Sequence, residues 1–141
     1  MNEAFIFDSI RSPRGKNKNG SLCQLTPVDL LSKLMLALEK KYQLDTSLIN
    51  DVIIGCVMPV NDQGANIGKI AAQYSGWDVD IPSMQINRCC GSGLEAVNLA
   101  AMKIRSGWED LIVSGGIECM SRVPIGADGG PMAFETKVAS R

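Results

Sequence analysis

"SMQINRCCGSGLEAVNLAAMKIRSGWEDLIVSGG" spans residues 83–116. Residues 83–87 read as a short strand. Two cysteines, Cys89 and Cys90, and a Gly-Ser-Gly turn follow. From Ser92 to about Ser106 the pattern is helical. Leu94, Val97, Ala101 and Ile104 share one face, Ala96 and Ala100 permit close packing, and Gly107 supplies a C-terminal stop. Ser92 and Glu95 have the S-x-x-E spacing of a capping box. Residues 110–116, "DLIVSGG", read as the next strand. Strand, helix and strand in this order predict a parallel pair with a right-handed crossover.

The same alternation extends outward. "EAFIFDSI", residues 3–10, is a candidate first strand, with Phe5 and Phe7 on one side and Ala4 and Ile6 on the other. Residues 11–21 form a basic loop rich in Gly and Asn. A helix follows with readable start signals: Thr26 as cap, Pro27 at the first position and Asp29 in the first turn. Leu31, Leu34, Met35 and Leu38 trace its apolar face, and the pattern fades near Tyr42. "DVIIGCVMP", residues 51–59, is almost continuously apolar, as a strand buried on both faces would be. Residues 62–76 hold a short helix ending at Gly76. The expected order is βαβαβαβ followed by a Gly/Pro-rich loop region. That order makes an α/β fold, a mainly parallel sheet with helices on both faces. Active sites of such sheets sit at the carboxyl ends of the strands, where "GCVMPVNDQG", "RCCGSG" and "SGGIECMS" all lie.

Composition narrows the function. The chain has 141 residues, 45% of them hydrophobic, and a net charge of -1. That suits one domain with a core and gives no basic excess for nucleic acid. No apolar run approaches the ~20 residues of a membrane span. No secretory or transit signal opens the sequence, so a reducing, cytoplasmic setting is expected. Five cysteines form an odd set without framework spacing, which argues against a disulfide scaffold. There is no histidine. The commonest general base and metal ligand are therefore absent from this sequence.

Residues 89–96 admit three chemistries. Gly91, Gly93 and Ala96 satisfy a dinucleotide G-x-G-x-x-G/A pattern, but in the third βα turn and not the first. Asp110, the nearest candidate for the ribose-binding acid, precedes the following strand when it should end it. Adjacent cysteines chelate one tetrahedral ion poorly, and a metal or redox pair lacks C-x-x-C spacing. A nucleophilic cysteine before a helix start is the third reading. Free N–H groups and the helix dipole favour a thiolate there and can bind a developing oxyanion. The alternative to all three is a pair of buried, inert thiols.

The motifs point to one family. Asn87 to Val97 resembles the nucleophile motif N-x-x-C-[A/G]-S-G-x-x-A of thiolases. "RSPRGKNKNGSL" is similar to the family's opening R-[T/S]-P-x-G…G-x-L. "DQGANIGKIAAQYSG" resembles Q-G-x-N-x-x-R-x-A-x-x-x-G with Lys69 for the usual arginine, and "SGGIECMS" resembles G-G-x-E-S-M-S with Cys119 for serine. The resemblance implies that Cys90 is the catalytic nucleophile, with its backbone N–H as one oxyanion donor. Cys89, Cys23 and Cys56 are then packing residues, and Cys119 follows a strand on the site side. The implied reaction is acyl transfer between CoA thioesters, as Claisen condensation or thiolytic cleavage of a 3-ketoacyl-CoA, through an acyl-cysteine. Coenzyme A and acyl-CoA enter as substrates, with no tightly bound cofactor and no metal.

The resemblance also implies what lies elsewhere. Thiolases are longer and have two similar halves. Their second catalytic cysteine and two histidines have no counterpart here, nor does the fifth strand of the first half. Residues 1–120 are thus expected to be an incomplete N-terminal α/β domain, and residues 121–141 the start of a loop domain. The expected partners are the C-terminal half or a second chain, and a second copy in a homodimer or tetramer. The chain alone is expected to be inactive. Two rival readings are a non-catalytic thiolase-like module and a ketoacyl-synthase-type condensing enzyme.

Overall fold

A computed structural model describes residues 2–130. Three helices and three strands alternate: α1 (Pro27–Tyr42), β1 (Asp51–Gly55), α2 (Ile67–Tyr74), β2 (Ser83–Ile86), α3 (Ser92–Ser106) and β3 (Ile112–Gly116). The sheet order is β2-β1-β3 and both pairings are parallel. The α/β class and the parallel sheet match the sequence reading.

α1 begins as its sequence dictates. Thr26 Oγ1 accepts from the Asp29 N–H at 3.1 Å, and the Asp29 carboxylate accepts from the Thr26 N–H at 3.2 Å. Pro27 needs no donor at the first position. Lys40 and Lys41 oppose the dipole in the last turn, and Gln43 closes the helix in the left-handed region.

β1 is the centre of the molecule, buried along its whole length. Its side chains alternate between two cores, as strand geometry requires. Val52 and Ile54 meet Leu31 and Met35 of α1, Ile67 and Ala71 of α2, and Trp77 and Ile81. Ile53 meets Ala96 and Ala100 of α3. Helices therefore cover both faces: α1 and α2 on one, α3 on the other.

Two expectations fail here. Residues 3–10 form no strand, and Phe5, Ile6 and Phe7 are 69%, 77% and 89% exposed. The described order thus begins at α1. A strand exists only through a hydrogen-bonded neighbour, and β2, β1 and β3 pair only among themselves. The buried face of α3 is only partly the one expected: Ala96 and Ala100 pack closely as their size predicts. Ser92, Ala96 and Ala100 face inward, whereas Leu94 is 70% exposed. Small residues win because the helix lies close against the sheet. Residues 117–130 run through turns, and the part of the expected loop region beyond residue 130 lies outside the described residues.

Candidate functional site

Glycines at three strand and helix ends bring the site together. A Cβ on Gly55, the last residue of β1, would lie 2.4 Å from the Ser92 carbonyl carbon. One on Gly116, the last of β3, would lie 3.2 Å from both the Gly55 carbonyl oxygen and the Gly93 Cα. The start of α3 therefore sits directly on the carboxyl ends of β1 and β3, a contact that only glycine allows.

The loop from β2 delivers Cys90 to this point. Cys89 and Cys90 are both exposed free thiols. Cys89 takes a left-handed φ of 47°, which costs a non-glycine residue about 1 kcal/mol. Gly91 is the N-cap of α3 and makes no side-chain cap bond. Cys90 thus stands just before the helix start, at its positive end.

The expected capping box does not form. The buried Ser92 hydroxyl accepts from the Arg88 N–H at 2.8 Å and donates to the Cys89 carbonyl at 2.6 Å. Glu95 turns to the Arg88 guanidinium at 2.6 Å. Both side chains tie down the turn that carries the cysteines, so the helix start is fixed by the loop before it. Glu95 remains a first-turn acid favourable to the dipole.

Polar side chains from all three strand ends bind the loops to one another. Glu118, beyond β3, accepts from the Val57 N–H at 2.8 Å. Gln63, fully buried, donates to Glu118 at 2.7 Å and to the Met58 carbonyl at 2.9 Å, and accepts from the Cys119 N–H. Asn87 donates to the Val57 carbonyl at 2.9 Å and accepts from the Cys89 N–H at 2.9 Å. Sequence reading assigned none of these residues a role. Their signal was visible: each is a polar letter of a quoted motif, at the carboxyl end of a strand.

The other cysteines separate cleanly. Cys56 is buried, and desolvation together with the Glu118 charge pushes its thiol up to about 11. Cys119 is also buried, and desolvation again raises its pKa. Neither is a nucleophile in this state. Cys23 is half-buried and accepts from the Gly20 N–H at 3.1 Å in the basic loop. Cys89 corrects the sequence reading: it is not packed at the strand end but exposed on the turn. The dinucleotide reading finds no support, because Asp110 lies at the opposite end of the sheet, where its N–H donates to Asn50. Two surface depressions of about 420 and 450 Å³ lie away from Cys90, one beside Phe5 and Arg105 and one beside Leu36 and Leu44. Among the described residues, no helix is long and apolar enough to cross a membrane.

The comparisons agree with the motifs. The family model "thiolase, N-terminal domain" matches residues 4–138. A steroid 3-ketoacyl-CoA thiolase of Mycobacterium tuberculosis is 35% identical over 125 residues, 89% of this chain and 30% of that protein. A 3-ketoacyl-CoA thiolase of Shewanella loihica is 40% identical over 126 residues, 89% of this chain and 33% of that protein. The crystal structure of the Bacillus anthracis acetyl-CoA acetyltransferase superposes with a TM-score of 0.67 at 32% identity, covering 72% of this chain and 26% of that one. The chain spans about a third of the length of these curated relatives.

Proposed function

This chain belongs to the thiolase family, and we propose that it carries the acyl-accepting cysteine, Cys90, of an acyl-CoA acyltransferase. The observation that carries the proposal is the exposure of Cys90 immediately before α3, at the carboxyl ends of the parallel strands. Its thiolate attacks the carbonyl carbon of a CoA thioester. The new C–S bond forms, the bond to CoA breaks, and CoA leaves as a thiolate that takes a proton. In condensation the acyl group then passes to the α-carbon of acetyl-CoA, which gives up a proton as the Cys90 sulfur leaves. In thiolysis the Cys90 thiolate instead attacks the 3-keto carbon of a 3-ketoacyl-CoA, the C2–C3 bond breaks, acetyl-CoA leaves as an enolate that takes a proton, and the acyl group passes from Cys90 to the sulfur of free CoA.

The second step needs groups that this sequence lacks. It has no histidine to activate the thiol or the incoming CoA. A second cysteine for the α-proton must also come from another segment or chain. Residues 1–120 would then be one incomplete half-domain and residues 121–141 the entry to a loop domain. The exposed Phe5, Ile6 and Phe7 support this reading, since they have a strand pattern and no strand partner. The edge position of β2 suits pairing with a second copy in a homodimer or tetramer. CoA and acyl-CoA act as passing substrates, in a cytoplasmic setting.

Mass mapping after exposure to acetyl-CoA tests the proposal. The acetyl group should appear on the peptide containing Cys90, and Cys90→Ser should remove it. Acetyl on Cys89 with Cys90 unmodified would sink the assignment. A non-catalytic module would instead show exposed cysteines alkylating at similar rates with no protection by acetyl-CoA. The family match favours CoA thioesters over the carrier-protein substrates of ketoacyl synthases. Thiolysis by the purified 141-residue chain alone is not expected. Measurable cleavage of a 3-ketoacyl-CoA by it would refute the need for a second half.

A further inference from the structure

We propose that Asn87 is a positioning residue for Cys90, and that it acts through the Val57 peptide held by Glu118. The proposal rests on Cys90 being the nucleophile and concerns how its loop is kept in place.

Ser92 and Glu95 brace the nucleophile turn from the helix side through Arg88 and the Cys89 carbonyl, and the Cys89 N–H needs a further partner. No side chain caps α3, and Cys89 sits in the left-handed region. A non-glycine residue stays there only if its surroundings hold it. The Asn87 carboxamide supplies that hold by accepting from the Cys89 N–H. The same carboxamide donates to the Val57 carbonyl, on the loop after β1. The Val57 N–H in turn donates to Glu118, after β3. The backbone of one residue, Val57, is thus gripped on both sides, by a carboxylate at its N–H and by an amide at its carbonyl.

Gln63 fixes the far end. It is fully buried, donates to Glu118 and accepts from the Cys119 backbone. Glu118 therefore cannot swing away without stranding a buried amide. The chain Gln63–Glu118–Val57–Asn87–Cys89 spans all three strand ends and finishes one residue from Cys90. Only the Asn87 end touches the nucleophile turn. Loss of either end should loosen the same turn by the same route.

A double-mutant cycle on the rate of Cys90 alkylation by iodoacetamide tests this in the natively produced protein, resolved site by site by mass spectrometry. Asn87→Ala should change the Cys90 rate at least threefold, and Glu118→Ala should change it in the same direction. The double variant should behave like the stronger single one, because both cut one route. Glu118→Gln, which still offers an oxygen to Val57 but turns an NH2 toward the Gln63 donor, should recover the wild-type rate only in part. Circular dichroism monitors folding. Should Asn87→Ala fail to fold, Asn87→Asp keeps the acceptor for Cys89, loses the donor to Val57, and completes the cycle. Unchanged Cys90 reactivity in the single variants, or multiplicative effects in the double, would overturn the proposal. Acetyl mapping on the wild-type protein is a separate arm. Acetyl found elsewhere would remove Cys90 as nucleophile, while the alkylation cycle still decides the coupling.

Discussion

Cys56 lies just past β1 and is buried, whereas Cys90 lies past β2 and is exposed. Burial and the nearby Glu118 carboxylate disfavour the Cys56 thiolate, raising its pKa to about 11 from an ordinary 9.0. Folded Cys56 therefore resists alkylation at pH 8, where Cys90 should label first. The same shift has a stability consequence. Between about pH 9 and pH 11 the unfolded chain has lost the Cys56 proton and the folded chain has kept it. The contribution is fully present below pH 9 and disappears as pH rises through 11, on the order of 2 kcal/mol in all. Guanidinium melts at pH 8 and pH 10.5 should show that loss in the wild type. Cys56→Ala should be less stable at pH 8 but flatter between the two pH values. An equally steep decline in the variant would assign the effect to other groups. Local pattern did not separate these thiols, but the family motif did, giving the attack to Cys90 and packing to Cys56, and the burial of Cys56 agrees. Exposure depends on which loop turns outward, and that is settled by Gly55, Asn87 and Ser92 together.

Helix starts show where local sequence suffices and where it does not. At α1 the cap, the proline and the acid were legible because Thr26 and Asp29 bond to each other, backbone to side chain in both directions. Thr26→Ala should cost about 1 kcal/mol, read as a lower denaturant midpoint at unchanged slope. At α3 the Ser92 and Glu95 spacing is equally good, yet the serine hydroxyl serves the 88–89 peptide and the acid serves Arg88. Tertiary geometry overrides the local pattern there, because α3 is pressed onto two strand ends. The same pressure buries Ala96 and Ala100, legible as close-packing residues, and leaves Leu94 of the larger periodic set exposed. Gly55→Ala tests the pressure directly. Its Cβ would meet the α3 backbone at 2.4 Å, so the helix start must shift. Such overpacking costs about 1–3 kcal/mol. Acetylation of Cys90 should fall well beyond what that loss of stability alone explains. A stable Gly55→Ala protein with normal Cys90 labelling would show that the approach is not needed.

Across the whole molecule the two ends of the sheet do different work. Cys90 and the amide and carboxylate chain that supports it occupy the carboxyl end. At the amino end Lys103 of α3 donates to Asp51 at the start of β1 and to Glu109 before β3. Burial opposes the Lys103 charge, but its hydrogen bonds to both carboxylates outweigh it and hold its pKa above the usual lysine range. One further oxygen of each acid, Asp51 Oδ1 and Glu109 Oε2, is buried without a partner among the described residues. The lysine is therefore the counter-charge that makes the buried Asp51 and the half-buried Glu109 tolerable. Lys103→Met keeps the length of the stem and removes the charge. It should cost about 3–5 kcal/mol at pH 7, the usual result of leaving buried ions unpaired. Guanidinium melts of Lys103→Met at pH 7 should show that loss as a lower midpoint, and an unchanged midpoint would overturn it. Cys90 lies past the opposite end of strands of five residues, roughly 15 Å away at the rise of a strand. Its alkylation rate, measured below the melting transition, should stay within about twofold of the wild type. A large change in Cys90 reactivity in the folded variant would mean that the amino-end ion cluster reaches the nucleophile through α3, and that the two ends are not independent.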